Sequence, residues 1–197
     1  MNNPHINSFR QATRWMLAIC VAITAACAGE GNSSQRTGPQ TNAAVKAPQV
    51  DIHTAVVSGN EEALRQHIAA GTDINAKDPF GGSSPLISAA VFGKAAMAKI
   101  LIDAGADLNF QNNDGSTALI SAAFFGRRDI VQLLLDAGAD KTIKNKYGAT
   151  AYESVATPFR EAKGTYDMLG KALAPMGLKL DYAQLEKVRP EIANMLQ

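Results

Sequence analysis

The chain has 197 residues and a mass of 20.8 kDa, which is enough for one ordinary domain with an appendage. Nineteen Lys and Arg residues stand against eighteen Asp and Glu, giving a net charge of +1, and this balance disfavours nucleic acid and acidic membrane surfaces as partners. Hydrophobic residues at 46% exclude wholesale disorder. The two cysteines, Cys20 and Cys27, both lie near the N-terminus and cannot form a disulfide framework for the rest.

The N-terminus has the three-part pattern of an export signal. Arg10 and Arg14 precede an uncharged run of twelve residues, 15–26, which ends in small side chains. A membrane-spanning helix needs about 20 apolar residues. We therefore expect residues 1–27 to be a cleaved signal peptide and the protein to be exported.

Two cleavage sites compete at the end of this signal. The segment 24–27, Thr-Ala-Ala-Cys, is similar to the lipobox of bacterial lipoproteins, whose cysteine is acylated and becomes the first residue of the mature protein. Thr24 departs from the Leu or Val usual at its position. Acylation of Cys27, with Ala28 after it, implies a periplasmic lipoprotein in the outer membrane; ordinary cleavage after Ala28 implies a soluble periplasmic or secreted protein.

The segment that follows the signal, residues 28–49, is rich in Gly, Asn, Ser, Gln, Thr and Pro and nearly lacks large apolar side chains. Such a segment buries too little apolar surface to offset the entropy of ordering itself. We expect it to be a disordered tether.

A repeat begins after the tether. Three glycine series and one apolar series share spacings of 33 or 34 residues, which is the signature of a stacked repeat architecture. The series are Gly59, Gly93 and Gly126; Gly71, Gly105 and Gly138; Gly82, Gly115 and Gly148; and Ile52, Leu86, Leu119 and Tyr152.

The repeated segments carry a family resemblance. Residues 84–90, Ser-Pro-Leu-Ile-Ser-Ala-Ala, and 117–123, Thr-Ala-Leu-Ile-Ser-Ala-Ala, resemble the first-helix start of ankyrin repeats. The segments 101–109 and 134–140 resemble the end of the second helix and the turn after it. The resemblance implies an all-α ankyrin-repeat solenoid of stacked helix pairs with hairpin fingers, and protein binding through the fingers and the inner helices.

Repeat boundaries follow from the period. We expect repeats over 50–82, 83–115 and 116–148 and a divergent fourth from Ala149 to about residue 180, with an insertion at 157–163. The fourth repeat's second helix is then expected to contain Leu169 and Leu173 and to end at Gly177. A last amphipathic segment, 182–196, capped by Asp181 and interrupted at Pro190, is expected to be a helical C-terminal cap within 181–197.

The sequence contains no constellation that predicts catalysis. We find no nucleophile with a base, no phosphate-binding loop and no cluster of metal ligands. His53 stands where the family has a histidine that hydrogen-bonds within the repeat turn, and His67, in the first repeat, is expected to be partly exposed. We expect a non-enzyme with no cofactor and no metal ion.

Two rows of charged residues have structural interpretations. Asp73, Asp107 and Asp140 recur in the turn after each second helix, and we expect them to serve hairpin geometry and not calcium. Lys141, Lys144 and Lys146 belong to one finger that we expect to be solvated, with contact to an acidic partner as the alternative.

The most informative departure from the repeat pattern is apolar. Positions near the end of each first helix are usually polar in ankyrin repeats, but here they are Val91-Phe92 and Phe124-Phe125. The predicted partner-binding residues are these four, flanked by Ile87, Ser88, Ile120 and Ser121, with Phe80 and Tyr147 at the finger tips. The alternatives are that segment 158–197 covers the patch or that its rings turn inward.

These features predict a non-catalytic interaction module of the bacterial cell envelope. It would be a monomer that binds another envelope protein of unknown identity and holds or shields it, touching the membrane only through an acyl group on Cys27. One alternative is a small-ligand or enzyme-accessory site between the concave face and the C-terminal insertion. Another is an immunity or inhibitor protein for a secreted effector.

Overall fold

The computed structural model of the chain describes residues 46–197. The predicted signal peptide, Cys27 and most of the predicted tether lie outside this range. All regular structure within it is helical. The elements are α1 Ile52–Ser58, α2 Glu61–Ala69, α3 Pro85–Phe92, α4 Ala95–Asp103, α5 Ala118–Phe124, α6 Arg128–Asp136, α7 Ala151–Ala156, α8 Phe159–Leu173, a 3₁₀ turn Ala174–Met176, and α9 Tyr182–Leu196.

The first helix of each pair begins at a capping side chain. In every case a side-chain oxygen accepts a hydrogen bond from the backbone N–H three residues further on, which satisfies a donor that the helix leaves free. The caps are Asp51 for α1, Ser84 for α3, Thr117 for α5 and Thr150 for α7. Thr150 and Glu153 form a reciprocal capping box, so the fourth repeat starts as firmly as the others.

The helices stack in two rows around one core. Helices α1, α3, α5 and α7 contact one another in that order and form the inner row, and α2, α4 and α6 form the outer row. Buried Leu, Ile, Val and Ala side chains from both rows make a single continuous cluster from Ile52 to Leu196. This confirms the predicted all-α ankyrin-repeat solenoid.

Helix α9 takes the outer position of the fourth repeat. It packs against α7 and α6, as α6 packs against α5 and α4. Leu185 and Val188, near its start, lie against Gly126 just before α6, and at its end the carbonyl of Gln197 accepts a hydrogen bond of 2.8 Å from Lys141, which follows α6. Helix α9 therefore runs in the same direction as α6.

The expectation that the outer helix of the fourth repeat contains Leu169 and Leu173 differs from the structure. Those residues belong to α8, which includes most of the expected insertion 157–163 and packs beside the repeats. The physical reason is burial. Helix α9 buries Leu185, Val188, Ile192 and Leu196 on one face, whereas α8 buries Tyr166 alone.

The predicted segment 182–196 does form one helix with Asp181 as its cap, but it is not interrupted at Pro190. That residue lies on the exposed side of α9, where a missing backbone N–H is least costly.

Candidate protein-binding surface

The fingers between repeats are held by a ladder of Asp and Asn side chains. The carboxylate of each aspartate in these turns accepts a hydrogen bond from the backbone N–H two residues further on. In the first two turns that residue is an asparagine, and its side-chain oxygen accepts a hydrogen bond from the backbone N–H of the aspartate in the next turn. The bonds run from Asn75 to Asp73, Asp107 to Asn75, Asn109 to Asp107, Asp140 to Asn109 and Thr142 to Asp140, at 2.8–2.9 Å. The aspartate row therefore serves turn geometry. Among residues 46–197 no three His, Cys, Asp or Glu side chains are grouped as metal ligands.

The finger tips carry the most exposed aromatic side chains of the described residues. Phe80 is 87% exposed and Tyr147 is 79% exposed. Backbone hydrogen bonds join neighbouring tips, from the Asn113 N–H to the Gly81 carbonyl and from the Lys146 N–H to the Asp114 carbonyl, each 2.9 Å. Both rings therefore project from a row of fingers that are fixed to each other.

Asp78 shapes the finger that presents Phe80. Its carboxylate accepts backbone hydrogen bonds of 2.6–2.8 Å from Phe80, Gly81 and Ser83. Burial raises the pKa of this carboxyl, but hydrogen bonds to its charged form have the larger combined effect and leave the pKa below its usual value. Asn112 and Asn145 hold the same place in the next two fingers and accept equivalent bonds.

We expect Asp78→Ala to lower the free energy of unfolding at pH 7 by about 1–2 kcal/mol, because it leaves several backbone donors without a partner. Since the folded-state pKa is lowered, the stabilisation by the charge is present above the ordinary carboxyl pKa near 4 and is lost as the pH falls through the folded-state pKa. Urea denaturation at pH 7, 5 and 3.5 measures this.

The matched control is Asp78→Asn, which imitates the other two fingers. It should retain most of the stability at pH 7 and lose less on acidification. Equal destabilisation by the alanine and asparagine variants would contradict the role given to these hydrogen bonds.

The predicted aromatic patch is partly covered. Val91 and Phe92 are half-buried at the end of α3, and the Val91 carbonyl accepts a hydrogen bond of 3.2 Å from Arg127. Phe125 is only 7% exposed, and its ring meets that of Phe124 edge-on with centroids 5.1 Å apart. Of these four residues, Val91, Phe92 and Phe124 keep some accessible surface.

Helix α8 supplies the cover over Phe124. The Tyr166 ring stacks on the Phe124 ring with centroids 4.6 Å apart, and its hydroxyl donates to the Phe124 carbonyl at 2.5 Å. Tyr166 is fully buried. The sequence left open that segment 158–197 covers the aromatic patch, and for Phe124 this alternative is the one observed.

The flanking residues of the predicted patch point into the stack. Ile87 and Ile120 are buried in the core, and Ser88 and Ser121 are buried beside them. These positions lie in the middle of α3 and α5, where the next inner helix packs. They offer no contact area to a partner, in contrast to the expectation.

The two histidines within residues 46–197, His53 and His67, have structural roles. His53 donates from Nε2 to the Ala76 carbonyl at 3.0 Å and lies 3.4 Å from the Ser88 hydroxyl through Nδ1. His67 is buried and not partly exposed as expected, because the Val50 carbonyl, 2.7 Å from Nε2, and the Thr72 hydroxyl, 3.1 Å from Nδ1, enclose the ring.

The three finger lysines, Lys141, Lys144 and Lys146, are exposed. Beyond the bond from Lys141 to Gln197, they form no ion pair with another described residue. They remain available to an acidic partner.

Sequence reasoning missed Tyr166 and Arg189, which join α8 and α9 to the repeats. Both lie outside the 33-residue period, so no repeat signal marks them. The available signal was the spacing of Phe159, Ala162, Tyr166, Leu169 and Leu173, which gives one apolar face to α8.

Comparison with known proteins agrees with this geometry. Residues 52–145 match the family model for ankyrin repeats, in three copies. A stretch of 64 residues is 39% identical to a human protein, protein phosphatase 1 regulatory subunit 27, and covers 32% of this chain and 41% of that protein. The crystal structure of the ankyrin repeat domain of Bcl-3, a member of the IkappaB protein family, matches with a TM-score of 0.52 and 32% identity over 59% of this chain and 53% of the other.

Residues 52–145 are therefore ankyrin repeats, a kind of repeat that generally forms non-catalytic protein-interaction modules. The chain spans about half or less of the length of the two proteins named. In the described part of the chain, no helix combines the length and apolar character that crossing a bilayer requires.

Proposed function

We propose that this chain is a non-catalytic binding module of the bacterial cell envelope that holds or shields a partner protein. The partner contacts the finger tips first, through Phe80 and Tyr147, and extends onto the half-buried Val91 and Phe92. The observation that carries this proposal is the exposure of two large aromatic side chains on mutually bonded fingers. Exposed aromatic residues on a rigid support lose little entropy on binding and often anchor interfaces.

The fingers also have charges that suit a protein partner. Lys144 and Lys146 precede Tyr147 on one finger. The Nζ of Lys77, on the first finger, lies 5.6 Å from the centre of the Phe110 ring on the second finger. Cations beside aromatic side chains favour a partner surface with carboxylates around an apolar centre. The net charge of the whole chain, +1, leaves such attraction local.

The location is proposed from the N-terminal sequence. The lipobox-like segment before Cys27 supports export, acylation of that cysteine and attachment to the outer membrane, with residues 28–49 as the tether. Ordinary cleavage and a soluble periplasmic protein is the second possibility.

The test is affinity capture from bacterial cell-envelope extract with the full chain and a Phe80→Ser, Tyr147→Ser double variant. Both side chains are exposed, so the variant should keep its melting temperature within about 2 °C. A protein identified by mass spectrometry with the native chain should be reduced at least tenfold with the variant.

The matched control is Met168→Ser, Met176→Ser, which removes two exposed apolar side chains from the α8 region. It should retain the captured protein. Equal loss with both double variants, or no loss with either, would contradict a finger-tip site.

The proposed acylation has its own test. In the bacterial cells that express the chain, Cys27→Ser should move the protein from the membrane fraction to the soluble fraction. An unchanged distribution would contradict acylation at this residue.

A small-ligand or enzyme-accessory role is the second candidate. It is favoured by a cleft of about 330 Å³ beside α7 and α9, and a screen for ligands that raise the melting temperature tests it. An immunity or inhibitor role predicts one tight partner that is encoded or delivered together with this protein.

A further inference from the structure

Arg189 is a buried cation that has no counter-ion among residues 46–197. The residue is only 2% exposed. One terminal nitrogen donates to the Tyr166 hydroxyl at 2.5 Å and the other to the Thr157 carbonyl at 2.6 Å, while Nε has no partner in the part of the chain that the structure describes. No carboxylate of the described residues lies within 4.0 Å of it.

This arrangement is costly unless an anion completes it. Removing a guanidinium from water carries a large desolvation penalty, and neutral acceptors offset only part of it. The Tyr166 hydroxyl is not the missing anion, because it uses its proton to donate to the Phe124 carbonyl. The Arg189 charge also lies 5.7 Å from the centre of the Tyr166 ring, which attracts it weakly.

A cleft adjoins this arginine and is lined by residues of α7, the start of α8 and α9. It has a volume of about 330 Å³, and its lining includes Arg189, Tyr152, Val155, Phe159, Pro190 and Glu186. The walls combine apolar and aromatic side chains with the polar Thr157 and Asn194, and Glu186 places a second charge on the lining. Because the lining carries one positive and one negative charge, a ligand with a single negative charge and an apolar body fits better than a dianion such as phosphate.

We propose that the cleft between α7, the start of α8 and α9 binds a carboxylate attached to an apolar or aromatic group, and that this carboxylate is the counter-ion of Arg189. The site is separate from the finger tips and does not depend on the function proposed for them. The carboxylate belongs either to a small organic acid or to the C-terminus of a polypeptide. Both sources offer the same chemistry to Arg189.

Glu186 is the internal competitor for this role. It lies three residues before Arg189 on α9, a spacing at which helical side chains can meet. If Glu186 were the true counter-ion in solution, its neutralisation would destabilise the protein. If an external carboxylate is the ligand, neutralisation of Glu186 removes a repulsive charge and tightens binding.

The experiment titrates the full chain, labelled with ¹⁵N at arginine, with phenylacetate and with its neutral analogue phenylacetamide. The readouts are the Arg189 Nε–H resonance and the melting temperature. We expect phenylacetate to shift the resonance and raise the melting temperature, and phenylacetamide to bind at least tenfold more weakly. In Glu186→Gln, which leaves Arg189 in place, phenylacetate should bind about two- to fivefold more tightly.

Two peptide probes distinguish the sources of the carboxylate. N-acetyl-Gly-Phe with a free C-terminus is compared with its C-terminal amide. Binding of the free acid at least tenfold tighter than phenylacetate indicates a polypeptide end, and the reverse order indicates a small acid; both support the site. Equal binding of acid and amide, no binding at 50 mM, or a lower melting temperature in Glu186→Gln without ligand would overturn the proposal.

Discussion

Replacement of Gly126 by alanine is expected to lower the free energy of unfolding by about 3 kcal/mol, through two additive effects. Gly126 has φ +66°, a conformation that costs a residue with a Cβ about 1–2 kcal/mol. A Cβ placed there would lie 2.7 Å from Leu185 Cδ2 and 3.0 Å from Val188 Cγ2 on α9, and such overpacking costs about 1–3 kcal/mol more. Urea denaturation gives the value.

The control for this prediction is Gly138→Ala. Gly138 also has a positive φ, +85°, but a Cβ built on it meets nothing within 4 Å. It should therefore show the conformational cost alone, about 1–2 kcal/mol. Equal destabilisation by the two variants would mean that α9 does not pack tightly on Gly126 and that its place as the outer helix of the fourth repeat is wrong.

The sequence period stops predicting the helix packing within the fourth repeat. Helices α1 to α6 follow from the period, because each repeat meets a neighbour with the same spacing of apolar residues. Beyond Ala151 two amphipathic helices, α8 and α9, could take the single outer position of the fourth repeat. Leu169 in α8 and Gly177 after it continue the repeat pattern with a shift of 39 residues. Helix α9 nevertheless takes the outer position, because its apolar face buries more surface against α6 and α7.

The binding surface was predictable to a different degree. Phe80 and Tyr147 lie at hairpin tips, where the sequence pattern indicates exposed side chains. Ile87 and Ile120 lie one helical turn before the aromatic pairs, and the sequence does not tell which side of a seven- or eight-residue helix meets the next repeat. The cover over Phe124 depends on α8, whose docking rests on tertiary contacts outside the period.

Replacement of Tyr166 by alanine is expected to detach α8 from the repeats. Tyr166 is the one fully buried side chain of this 15-residue helix. Truncation of a buried aromatic residue typically costs about 3–5 kcal/mol, and α8 has few other contacts with which to offset that loss. Hydrogen exchange followed by mass spectrometry should show lost protection in residues 159–173 and retained protection in α1 to α6.

The conservative variant separates packing from hydrogen bonding. Tyr166→Phe keeps the ring on Phe124 but removes the donor to the Phe124 carbonyl and the acceptor for Arg189, so it should weaken the docking of α8 by about 1–3 kcal/mol without releasing it. Uniform loss of protection across all repeats in Tyr166→Ala would instead make α8 part of the cooperative core.

Release of α8 alone has a consequence for binding. It would uncover Phe124, and the accessible apolar surface would then be larger than in the native protein. If finger tips anchor the partner, capture by Tyr166→Ala should be at least as strong as capture by the native chain. A loss of capture in this variant would place α8 itself in the contact surface, because the finger tips that carry Phe80 and Tyr147 are unchanged by the substitution.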